Sequence, residues 1–158
     1  MFEASFDVDH FVQLLTRLAI ALALALPIGW EREFASRSAG LRTFPLVALA
    51  SCGFVVTALP VLGDDAEAQA RVFQGLITGI GFIGGGAILK DRKAVRGTAT
   101  AASVWSTGAV GAAAGYGRYE TAVLISLMTL LVLGVLSAVE RRAGRQPDGS
   151  DEDGGMAS

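Results

Sequence analysis

Five long apolar runs separated by short polar stretches make up most of this chain, at about residues 11–30, 43–62, 72–89, 98–115 and 119–139. A bilayer core of roughly 30 Å takes about 20 residues of helix, close to the length of each run. A single segment in lipid must satisfy its own backbone hydrogen bonds, so each run is predicted to be helical. The polar stretches alternate in charge. Arg32, Arg37 and Arg42 follow the first run, Lys90, Arg92, Lys93 and Arg96 the third, and Arg141, Arg142 and Arg145 the fifth. Asp64, Asp65 and Glu67 follow the second run, and Glu3, Asp7 and Asp9 precede the first. Cytoplasmic loops collect Lys and Arg. The pattern therefore predicts an all-α, five-helix transmembrane bundle with its amino terminus outside and its carboxyl terminus cytoplasmic.

Composition strengthens the membrane reading. The chain is 52% hydrophobic and 18% charged, with a mean hydropathy of +0.51, which is too apolar for an ordinary soluble domain. A net charge of −2 offers no basic surface for nucleic acid. Residues 1–10 are acidic where the start of a signal peptide would be basic, so the first run reads as a retained span. Residues 1–139 are expected to form the transmembrane domain. Residues 140–158, ERRAGRQPDGSDEDGGMAS, lack apolar periodicity and are expected to be a disordered cytoplasmic tail. Arg141 and Arg142 would anchor the last helix to anionic headgroups.

Small residues mark two of the runs. In the third, Gly75, Gly79 and Gly86 share one face and Gly81 and Gly85 another. Small faces let helices approach closely in lipid, so the third helix is expected to be central, with neighbours on two sides. The triplet Gly84–Gly86 weakens the helix, and a break there would suit an ion or substrate site. In the fourth run, Gly97, Ala101, Gly108, Ala112 and Gly115 line one face, and Gly111 adds to the packing residues. Thr100, Ser103 and Thr107 form a hydroxyl line beside it. Those hydroxyls either bond to carbonyls of their own or a neighbouring helix, or face a polar track between the third and fourth helices. Trp105 falls mid-span and is expected to pack between helices, whereas Trp30, Tyr116 and Tyr119 sit where an interfacial belt would.

Candidate chemistry gathers at the charges. Arg17 lies about six residues into the first span, where it either snorkels to headgroups or faces the bundle to meet an acid or an anion. Glu31 and Glu33 stand where the first helix leaves the bilayer. Two carboxylates suit a hydrated magnesium ion, while Arg32, Arg37 and Arg42 compete for them as an ion-pair clasp. Gly40 suits a tight turn before the second helix. His10 and Cys52 are single and lie at different depths, so no nucleophile–base pair can be assembled and the chain is not expected to be an enzyme. The run Gly79–Gly84 resembles GxGxxG, but no strand precedes it and it is no nucleotide loop.

Three blocks, Gly29–Thr43 (GWEREFASRSAGLRT), Gly79–Ala87 (GIGFIGGGA) and Arg96–Gly117 (RGTATAASVWSTGAVGAAAGYG), resemble the MgtC/SapB family of bacterial inner-membrane proteins over roughly residues 11–139. The resemblance implies five membrane helices with an outside amino terminus. It implies a role in growth at low magnesium and under acid or phosphate stress, through other membrane proteins such as ATP synthase. Taken with the residue readings above, it leaves Arg17, Glu31, Arg32, Glu33, Gly40, Arg42, Thr43, Arg96, Thr100, Ser103 and Trp105 as candidate ligand- or partner-binding residues. Longer members carry a cytoplasmic carboxyl-terminal domain, so this sequence resembles a short form. It departs from the pattern at Ser106, where some members have Cys, at Ala99, where some have Asn, and at Phe44, where His or Asn is common. The alternative function is an oligomeric transporter or channel for magnesium or another small ion. The lipid bilayer, a second copy of the chain and ATP synthase are the partners to consider.

Overall fold

A computed structural model describes residues 7–35, 40–90 and 95–142. These form helices α1 (Val8–Ala35), α2 (Thr43–Leu62), α3 (Ala66–Gly86), α4 (Thr98–Gly115) and α5 (Tyr119–Arg142). Strands β1 (Leu89–Lys90) and β2 (Val95–Arg96) pair antiparallel between α3 and α4. The architecture is an all-α bundle. Arg37, Arg92, Lys93, the side chains of Arg141 and Arg142, and the tail from residue 143 lie outside what is described.

Local chemistry sets the helix ends. The Asp7 carboxylate accepts from the amides of Asp9 and His10 and starts α1 ahead of its apolar run. Asp65 does the same for α3 through Glu67 and Ala68, so α3 begins at Ala66 and not near residue 72. Helix α4 ends in a Schellman turn. Gly117 takes a left-handed φ of 72°, its amide donates to the Ala114 carbonyl, and the Arg118 amide donates to Ala113 at 2.8 Å. Gly97, with φ 84°, opens α4, and a Cβ there would strike the Ala87 carbonyl.

Helix α4 is the hub, because it packs on α1, α2, α3 and α5. One apolar cluster joins Ile28, Phe44, Val47, Ile80, Val104 and Leu133. A second, of small residues, joins Ala21, Ala25, Ala48, Cys52 and Ala114. Outside these clusters the bundle shows large apolar side chains, including Phe54, Phe82, Leu124 and Leu127. Helices α1 and α2 are long and apolar enough to cross a membrane, and Tyr119–Val135 of α5 is a shorter apolar stretch.

The expected placement of the third helix is corrected here. Helix α3 lies at the edge and packs chiefly on α4 and α2. A Cβ built on Gly75, Gly79, Gly81, Gly85 or Gly86 meets nothing within 4 Å, and only Gly84 has a close neighbour, the Ala101 carbonyl at 3.2 Å. Small residues permit a close approach but supply no surface to bury. The contact is made by Ile80, which is buried and faces Gly108 of α4. The Gly84–Gly86 triplet does not break α3 internally. It ends the helix, through bonds from Ala87 to Gly84 and from Ile88 to Gly85, and the chain turns into the two-residue strands.

Candidate functional site

Two polar centres sit at opposite ends of the bundle. At one end, the segment before α2 folds back on the last turns of α1. The amides of Thr43 and Phe44 donate to the Gly40 carbonyl. The Leu41 amide donates to Glu33 Oε2 at 2.9 Å. A Cβ on Gly40 would collide with the Glu33 side chain, and one on Gly29 would touch Phe44 at 3.4 Å. The sequence folds this way because two glycines let the loop lie flat on the helix and Glu33 caps the returning backbone.

Beside this loop, Arg32 is 5% exposed. Its Nε and Nη2 donate to the two oxygens of Glu31 at 2.6 and 2.9 Å. The clasp reading of the charged loop thus describes Glu31 and Arg32. A joint magnesium site on Glu31 and Glu33 does not form, since residues two apart on a helix point about 200° apart and each carboxylate holds its own protein partner. Arg42 is exposed at the start of α2, and Thr43 is half-buried beside it. Arg96 is half-buried in β2, opposite Leu89.

At the other end stands Arg17. Its Nη1 donates to the Gly115 carbonyl at 2.7 Å. The Schellman turn occupies the carbonyls of Ala113 and Ala114, and Gly115 comes next along α4. A cation at the negative end of a helix is favourable, and the bond ties α1 to the end of α4. The bonded partner of Arg17 is thus a backbone carbonyl and not an acid.

For the hydroxyl line the first of its two readings describes Ser103 and Thr107, which bond to carbonyls of their own helix, whereas the expected packing of Trp105 is corrected. Thr100, Ser103 and Thr107 are buried. Ser103 donates to the Ala99 carbonyl and Thr107 to that of Ser103, at 2.7 and 2.8 Å. None of the three lines the cleft between α3 and α4, whose walls include Phe73, Ile80, Trp105 and Gly108. Trp105 is 53% exposed and does not pack between helices. The larger cleft, of about 710 Å³, lies between α2 and α3.

Sequence reasoning missed the hydroxyl of Ser126, which donates to the Leu24 carbonyl at 2.9 Å and joins α5 to α1. No local signal marks it, since the partners lie 102 positions apart. The Gly117 turn was missed as well, although a glycine just after the last apolar position of the run is a local signal for it.

The family model for MgtC matches residues 18–142. The chain belongs to the MgtC family. The match spans α2 to α5, most of α1 and the folded-back loop, and it begins one residue after Arg17. This MgtC-family chain is 38% identical over 138 residues to protein slr0014 of Synechocystis, covering 87% of the chain and 58% of that protein. It is 36% identical over 129 residues to the "Putative magnesium transporter YhiD" of Escherichia coli, covering 78% and 60%. It is 41% identical over 119 residues to protein MgtC of Brucella abortus, covering 75% and 49%. The chain thus spans about half to three-fifths of these relatives' lengths. No solved structure matches it.

Proposed function

We propose that this MgtC-family chain is a multi-pass protein of the bacterial inner membrane, with its amino terminus outside and the Glu31–Thr43 loop cytoplasmic. It acts without catalysis, adapting the cell to low magnesium, acid or phosphate stress by binding and modulating other membrane proteins, ATP synthase among them. The observation that supports this reading is the engagement of the bundle's inner polar groups by the protein itself. Ser103, Thr107, Ser126 and Arg17 each donate to a backbone carbonyl. Cation pathways need carboxylates or carbonyl rings turned toward the ion, whereas the two clefts are lined almost wholly by hydrocarbon. Contact with a partner uses the outer faces and the loop.

The test is affinity purification of the chain from native membranes, with proton pumping by ATP synthase measured in inverted vesicles with and without it. Co-purification of synthase subunits and slowed pumping are expected. Unchanged pumping and no membrane partner would sink the reading. YhiD's printed name favours a second reading, magnesium transport by an oligomer of this chain. Magnesium entry into liposomes holding the purified protein, absent from protein-free liposomes, would establish it in place of the first.

A further inference from the structure

The cleft between α2 and α3 runs from Val47 to Leu62 along α2 and past Gly75, Gly79 and Ile83 along α3. Fifteen helical steps make it roughly 22 Å long, most of a hydrocarbon core. Gly75 and Gly79 leave it open, since nothing stands within 4 Å of a Cβ at either. Its lining is apolar except for Ser51 and Thr57, so water is a poor occupant. The cleft, of about 710 Å³, is open along one side, so an occupant can enter it from the surrounding lipid. A flexible hydrocarbon chain fits.

The ends of the cleft differ in charge. Beyond Leu62 come Asp64, Asp65 and Glu67, with Glu67 paired to Arg71. Arg42 stands five residues before Val47, and Arg96 follows Ile83 beyond the end of α3. An anionic headgroup is repelled at the first end and drawn to the second. We propose that this cleft binds an acyl chain of an anionic phospholipid from the cytoplasmic leaflet, its phosphate held at the Arg42 end. The proposal rests on the membrane placement above and not on any regulatory partner.

The test is native mass spectrometry of the full chain in mild detergent, with phosphatidylglycerol or phosphatidylcholine added. Gly79→Leu projects a side chain into the cleft from a position whose Cβ meets nothing within 4 Å, and Gly81→Leu, on the other face of α3, is its control. Retention of phosphatidylglycerol by the wild type and Gly81→Leu, with loss in Gly79→Leu, is expected. Arg42→Gln should weaken phosphatidylglycerol binding about fivefold, the effect of one basic side chain near an anionic surface, and leave phosphatidylcholine unchanged. Equal lipid retention by the two leucine variants, or equal retention of the two lipids, would overturn the proposal. So would a dimer that Gly79→Leu dissolves, because a second copy would then fill the cleft. Alkaline carbonate extraction of each variant reports separately on membrane placement.

Discussion

Helices α3 and α4 carry similar runs of small residues, yet they occupy different places in the bundle. A Cβ added to α4 strikes Ile80 at Gly108, the Ala48 carbonyl at Gly111, and Val55 and Cys52 at Gly115. One added to α3 meets close packing only at Gly84. The neighbours decide this. Helix α4 is surrounded by α1, α2, α3 and α5, whose bulky side chains and backbones fill the notches its glycines leave. Helix α3 offers the notches at Gly75 and Gly79 to an open cleft. Glycine in a membrane helix therefore records how near a neighbour can come, and the neighbour's side chains decide whether one does.

The largest effect that tests this contrast is expected at Gly111. Its added methyl would meet backbone of α2, which cannot rotate away as a side chain would. Gly111→Ala should lower stability by about 3 kcal/mol, the upper range for overpacking a tight interior, measured by unfolding in mixed micelles. An unchanged unfolding midpoint would mean that α2 and α4 are not in contact in the protein.

Next comes the far end of α4. Arg17→Met removes the donor to Gly115 while keeping a long apolar side chain. A hydrogen bond from a charged group contributes about 2 kcal/mol, and that loss is expected in the same measurement. Arg17→Lys should recover part of it, as a single donor at the same helix end. Equal losses in the two variants would show that packing, not the bond, matters there.

Gly108→Ala should cost less, about 1 kcal/mol, because overpacking is milder when the struck group can adjust. That group is the Ile80 side chain. The paired change Gly108→Ala with Ile80→Val should restore stability. If the two losses simply add, Ile80 does not sit in the Gly108 notch.

The all-α class and most of the helical runs were legible from the lengths of the apolar stretches, because a segment of that length and character satisfies its backbone as helix, although α3 begins earlier than its apolar run. The turn at Gly40 was legible, since a glycine just before the second apolar run suits a tight turn. The partners of Arg17 and Ser126 were not. Each bonds to a backbone carbonyl about a hundred residues away, and a carbonyl leaves no mark on residue type. The rank of α3 and α4 was misread for a related reason: a glycine stripe records a notch, and what fills it stands on another element.

The smallest effect has the opposite sign. Gly79→Ala places a methyl where nothing lies within 4 Å, so no packing is disturbed. Alanine in a helix interior is favoured over glycine by about 0.5–1 kcal/mol, and the variant should be more stable than wild type by about that amount. A gain at Gly79 beside a loss at Gly111 would hold the contrast in one pair of substitutions. A loss at Gly79 would break it, since some neighbour must then press on α3, and chemical cross-linking would decide whether that neighbour is a second copy of the chain.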